Sequence, residues 1–216
     1  MKTLYALAAI TVFNMVSAQK TTDLKDFKSL TIGQDMNVEL VKSSQNKLVV
    51  KSSDEDEEVD ISNMGGHLSI NGDDATIVLY YKDALENVVV GADSEIFSND
   101  EIKTKVLMLT AGADTNVKLK IDVKKLYIQA DADSQINLTG KAKEHFATLS
   151  SDVRMAASDL ITENSTVTLA SDAQASVNAT GTVNATVSSD GSLKIHGNPK
   201  KVNEVKGGDS VIVVVR

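Results

Sequence analysis

From Val88 to Ile195 apolar and polar residues alternate with a period of two, interrupted at regular intervals by a small residue followed by aspartate. The interruptions are Ala92-Asp93, Ala113-Asp114, Ala132-Asp133, Ser151-Asp152, Ser171-Asp172 and Ser189-Asp190, so the Asp-to-Asp spacings are 21, 19, 19, 20 and 18. Taking the residues five and three before each Asp, and three and five after it, gives 24 positions, and 23 of them are apolar. The exception is Ser98. Alternation of this kind reads as strand, so each repeat carries two short strands bent around an Asp corner.

A third apolar position falls nine residues after the Asp at Ile102, Val123, Ala142 and Ile161. Three short faces in a coil of about 19 residues describe one rung of a parallel β-solenoid. Stacked rungs would place like residues about 4.8 Å apart in interior columns. An antiparallel sandwich shows similar alternation but has no reason to keep an Asp corner in register through six repeats, so the solenoid is the preferred reading. Ahead of it the pattern is less regular. Phe27–Ile32 and Met36–Leu40 flank Gly33-Gln34-Asp35, and Lys47–Lys51, His67–Ile70 and Ala75–Tyr81 give three more strands. The run Asp54-Glu55-Asp56-Glu57-Glu58 reads as a solvated loop or blocked edge rather than a cation site. Val211–Val215 is β-branched and uncharged, so it is expected to pack on the solenoid end or pair with another strand.

Composition narrows the partners. Twenty-two basic and 30 acidic residues leave a net charge of −8, which argues against nucleic acid and anionic lipid as partners. Arginines number only two, Arg154 and Arg216. Aromatics are 4% of the chain and tryptophan is absent, as a thin tube of aliphatic columns requires. The absence of cysteine excludes disulfides, thiolate metal sites and a cysteine nucleophile. Residues 1–18 carry Lys2, an apolar stretch and a small-residue end at Ser17-Ala18, the pattern of a secretory signal cleaved before Gln19. The stretch is too short to span a bilayer, so no transmembrane segment is expected after cleavage. The expected organisation is a signal peptide at 1–18 and one β-solenoid domain at 19–216. Within that domain, irregular strands fill 19–85, regular coils 86–196 and a closing strand 197–216.

Three pieces of the chain carry a family resemblance. The opening Phe27-Lys28-Ser29-Leu30-Thr31-Ile32 with Asn37-Val38-Glu39-Leu40, the repeated corners, and the ending Gly191–Pro199 followed by Gly207-Gly208-Asp209-Ser210 resemble the bacterial head GIN domain family of auto-transporter adhesins, a domain of unknown function. The resemblance covers Phe27 to Val215. It departs at the corners, where Asp and Ser replace most of the family's glycines. It implies an all-β, right-handed parallel β-helix, export to the periplasm, outer surface or medium, and an adhesive role without established chemistry.

Residue chemistry adds little. His67, His145 and His196 form no metal or triad spacing and read as surface residues. Gly65-Gly66 and Gly207-Gly208 read as tight turns. Asn137, Asn164, Asn178 and Asn184 head Asn-x-Thr sequences that composition alone explains. For a β-helix enzyme the best pieces would be Tyr127, Arg154 and the pair Asp131 and Asp133. If the corners stack, their carboxylates form a column, and a Ca²⁺ site would draw on Asp114, Asp131, Asp133 and Asp152. The competing reading, that each Asp caps its own turn, is preferred because few other ligands stand nearby. No catalytic residue and no cofactor is therefore expected. The function expected is an exported adhesin-like binding module contacting glycan or surface protein. The alternatives are a carbohydrate-active enzyme and a purely structural envelope protein.

Overall fold

In the computed structural model residues 20–52 and 59–215 are described. The segment read as a signal and the acidic run 54–58 lie outside those residues. The described chain holds 17 strands and no helix, wound into a β-solenoid of about seven turns with coils about 19 residues apart. The parallel ladder is in register from coil to coil: Val117 pairs with Ile136, Ile136 with Met155, Met155 with Ala175 and Ala175 with Leu193.

All 24 alternating positions are buried, none more than 6% exposed. Ser98, the polar exception, donates its hydroxyl to the Leu40 carbonyl at 2.8 Å, so it costs the core no unpaired group. The long strands β9 (Glu95–Ala111), β10 (Asn116–Ala130), β11 (Gln135–Leu149) and β12 (Arg154–Leu169) each run along all three sides of the coil. They bend where two successive residues face outward, as at Lys124 and Lys125, which resets the phase of alternation.

The nine-after-Asp reading needs one correction. Ile102, Val123 and Ala142 are buried, but Ile161 is 57% exposed. The register shifts between Asn137 and Thr139, adding a residue to the fourth coil, so Thr162 rather than Ile161 pairs with Ala142 and points inward. Gly140 sits in the neighbouring column with φ +106°, and a Cβ there would stand 2.1 Å from the Ile121 carbonyl oxygen. Only glycine fits.

The N-terminal strands are β1 (Lys20–Asp23), β2 (Ser29–Ile32), β3 (Met36–Lys42), β4 (Lys47–Ser52), β5 (Asp60–Met64), β6 (His67–Asn71), β7 (Ala75–Tyr81) and β8 (Asn87–Val90). They stack out of chain order. The coil β2–β3 lies between the coil β6–β7 on one side and β8–β9 on the other, parallel to both. Beyond β6–β7 the ladder turns antiparallel, with β4 on β7, β5 on β6 and β1 on β4.

At the other end β13 (Gln174–Ala179), β14 (Thr182–Val187) and β15 (Ser192–His196) complete the regular coils. Two strands follow, β16 (Lys201–Lys206) on β14 and β17 (Val211–Val214) on β15. The pairing expected of the Val-rich C-terminal segment is therefore present. Ile212 and Val214 continue the inward columns of Leu193 and Ile195.

Candidate functional site

The corners decide where polar chemistry can sit. All six repeat aspartates have φ between 53° and 67°, the left-handed region that Asp tolerates better than most residues. The corners join one another through the backbone: the N–H groups of Asp93, Asp114, Asp133, Asp152 and Asp172 each donate to a carbonyl of the next corner at 2.9–3.0 Å. Two further corners, Asp35 (φ 54°) and Asp74 (φ 46°), extend the column onto the N-terminal coils.

None of the six repeat carboxylates accepts a hydrogen bond from its own turn among the described residues, so side-chain capping of each turn is not what these aspartates do. That polar work falls to the next residue in the first three corners. Ser94 donates to Gly33 O at 2.9 Å, Thr115 to Gly112 O at 3.2 Å and Ser134 to Asp131 O at 2.6 Å.

Of the four proposed cation ligands, Asp114, Asp133 and Asp152 stand one per rung, while Asp131 accepts a short hydrogen bond from Ser150. Among the described residues no three His, Cys, Asp or Glu side chains converge as a metal would need. Loss of solvent, then the charges of Asp93, Asp73 and Asp74, push the Asp35 carboxyl above its ordinary range. The column is crowded with negative charge at that end.

Outward rows on the two sides flanking the corner differ in character. On the side leading into the corner, Met108, Tyr127 and Phe146 occupy one row in successive rungs. The rings of Tyr127 and Phe146 stack with centroids 4.9 Å apart and planes 9° from parallel. Thr110, Gln129 and Thr148 form the next row. Between the rows runs a groove of about 280 Å³ with one apolar wall and one hydroxyl and amide wall. Met108 is 52% and Tyr127 38% exposed, and Val106 adds to the same apolar patch. On the side leaving the corner, Gln135, Arg154, Gln174 and Ser192 form one row and Asn137, Ala156, Ser176 and Lys194 the next. They line a second groove, of about 230 Å³. Tyr127, Arg154 and the pair Asp131 and Asp133 thus lie in three separate places, and the fold does not assemble them into one site.

The three histidines do not share one environment. His67 is exposed and its Nδ1 lies 2.9 Å from Ser29 Oγ. His145, by contrast, is 1% exposed, which corrects the surface reading. It belongs to the interior column Leu107, Leu126, His145, Ser165, Val183. Its Nδ1 lies 3.3 Å from Ser165 Oγ, and Ser165 Oγ lies 2.9 Å from Thr162 Oγ1, which donates to Asn178 O at 2.8 Å. Nε2 has no partner. Burial lowers the imidazole pKa to about 4. The signal for this placement was in the sequence: seven residues before each Asp from Asp114 to Asp190 stand Leu107, Leu126, His145, Ser165 and Val183.

A family model described as "Putative auto-transporter adhesin, head GIN domain" matches residues 26–199. The chain belongs to the head GIN domain family. No curated protein matches it. Solved structures share the head GIN domain chain's fold at low identity. A structure described as a "putative adhesin" from Bacteroides fragilis superposes with a TM-score of 0.83 at 16% identity, over 91% of this chain and 96% of that one. A "putative lipid binding protein" from Parabacteroides distasonis gives 0.67 at 16% identity, over 92% and 96%. A "putative adhesin" from Parabacteroides merdae gives 0.64 at 14% identity, over 92% and 96%. Likeness at such identity speaks to the fold. The family description points to an adhesin-like surface or exported protein. Among the described residues of this head GIN domain protein, no helix is long and apolar enough to cross a membrane.

Proposed function

We propose that this head GIN domain protein is an exported surface module that holds an extracellular partner on one side of its solenoid and catalyses no reaction. The observation that carries this reading is the row of Met108, Tyr127 and Phe146, which leaves an apolar ladder in solvent beside the hydroxyl and amide row. Solvent-exposed apolar patches bordered by polar groups mark interaction surfaces. Rigid aromatics lose little entropy on contact, so they serve well as anchors. The ring edges and Met108 would pack on the apolar face of a surface glycan, and Thr110, Gln129 and Thr148 would exchange hydrogen bonds with its hydroxyls. The in-register ladder fixes all of these groups before the partner arrives, which lowers the cost of ordering them.

The test is binding of the purified protein to a glycan array and to intact bacterial and host cells, alongside Tyr127→Ala/Phe146→Ala. The expected result is saturable binding that drops at least about tenfold in the double variant while the melting temperature stays near wild type. Binding that ignores the double substitution would defeat the reading. Protection of the protein from added protease on intact producing cells would remove its surface location.

A further inference from the structure

We infer that the groove on the opposite side of the corner is a binding site for an acidic oligosaccharide, with Arg154 receiving its anionic group. The inference is independent of the aromatic row.

Charge is the first argument. The chain carries a net −8, yet Arg154, one of its two arginines, lines this groove and makes no ion pair among the described residues. Lys194, two rungs on, lies at the far end and is also unpaired. An arginine guanidinium is a fixed planar fork of donors that suits a carboxylate or sulfate. Arg154 and Lys194 are the charged side chains that line this concave surface, and they offer an anionic group its partners there although the acidic corner edge runs two residues away.

Shape is the second. The floor is built from the short side chains Ala156 and Ser176, while Gln135, Arg154 and Gln174 stand in successive rungs along one wall that ends at the short Ser192. A groove of about 230 Å³ results, crossing the strands rather than following them.

The wall chemistry then chooses the class of ligand. Strand backbone N–H and C=O groups here are used by neighbouring rungs on both sides, so no edge remains for an added peptide strand. The groups left over are side-chain amides and hydroxyls, each both donor and acceptor, which is the complement of a sugar hydroxyl. No aromatic lines the groove to stack on a nucleobase. Rung spacing holds these groups at fixed intervals of about 4.8 Å, so a saccharide chain running along the solenoid axis would meet one wall side chain per rung, with Arg154 as the cationic position between Gln135 and Gln174.

The test uses isothermal titration of the purified protein with uronate-containing, sialylated and sulfated oligosaccharides, each beside its neutral counterpart, and with poly-L-glutamate. At least one acidic oligosaccharide should bind tenfold or more tightly than its neutral counterpart. Arg154→Gln should lose tenfold or more of that affinity, with partial recovery in Arg154→Lys and an unchanged melting temperature. Tyr127→Ala/Phe146→Ala should leave it unaltered, which separates this site from the proposed adhesive face. The inference is overturned if no acidic oligosaccharide is preferred or if Arg154→Gln binds like wild type. It is equally overturned if poly-L-glutamate binds as tightly as the best saccharide, because the groove then reads acidic peptide, or if the aromatic double variant abolishes binding.

Discussion

His145 is the residue whose charge the fold constrains most. An imidazole in an aliphatic column between Leu126 and Ser165 cannot take a proton cheaply, and its pKa falls to about 4 from 6.5. A depressed histidine makes stability depend on pH in a definite direction. Above pH 6.5 the ring is neutral in both folded and unfolded chains and contributes no slope. Between pH 6.5 and 4 the unfolded chain binds a proton that the folded one refuses, so stability falls as pH falls, by about 3 kcal/mol in all. Below pH 4 the folded ring also protonates and the loss levels off. Urea midpoints measured at pH 7, 5.5 and 4.5 should therefore fall more steeply in wild type than in His145→Leu, the side chain this column carries at Leu107 and Leu126. Carboxylate titration is common to both proteins and cancels in the difference. Parallel curves would show that the ring is solvated.

At the scale of elements, the two closing strands handle their open edges differently. The inward columns of Val183, Ala185 and Val187 end on β16 as Val202, Glu204 and Lys206, and Glu204 pairs with Lys206 at 3.5 Å. Inward-pointing charges at the last rung deter another strand from adding there. β17 has no such device, since Val211 and Val213 face solvent while Ile212 and Val214 continue the core columns. Its contribution is to cover β15. Deleting residues 210–216 would expose the β15 edge together with the ends of the Leu193 and Ile195 columns, and we expect the truncated protein to aggregate on expression. A soluble, monomeric truncation with unchanged melting temperature, read by light scattering and circular dichroism, would refute the covering role.

At the scale of the whole molecule, stacking sets like corners above like corners. The result is one acidic edge running from Asp74 and Asp35 through Asp93 to Asp190. Exposed like charges one rung apart repel by under about 1 kcal/mol per pair in salt water, and the backbone ladder between corners outweighs that. The edge should behave as screened repulsion rather than as a metal site. Thermal melts should rise by a few degrees between 20 mM and 300 mM NaCl. Millimolar Ca²⁺ at matched ionic strength should add nothing beyond this in wild type or in Asp133→Asn. A large rise specific to Ca²⁺ and lost in the variant would reassign the edge as a cation site.

The period-two alternation and the Asp spacing were enough to set the solenoid, its coil length and the 24 inward positions flanking the corners. A periodic core is a local property, and each residue's face follows from its distance to the nearest corner. The same periodicity holds His145, at the seventh place before Asp152, but a histidine carries no apolar signal of its own and is legible as interior only from Leu107 and Leu126 at the same place in the preceding coils. Other features depend on which rung lies beside which, and local pattern carries no trace of that. The added residue that turns Ile161 outward and Thr162 inward became visible only through pairing with Ala142. The insertion of β2–β3 between β6–β7 and β8–β9, which brings Asp35 against Asp93, joins residues distant in sequence. Both outward grooves are likewise tertiary. Tyr127 and Phe146, or Arg154 and Lys194, are ordinary surface residues until parallel stacking sets rungs one strand spacing apart, and only then do the members of each pair line a common groove.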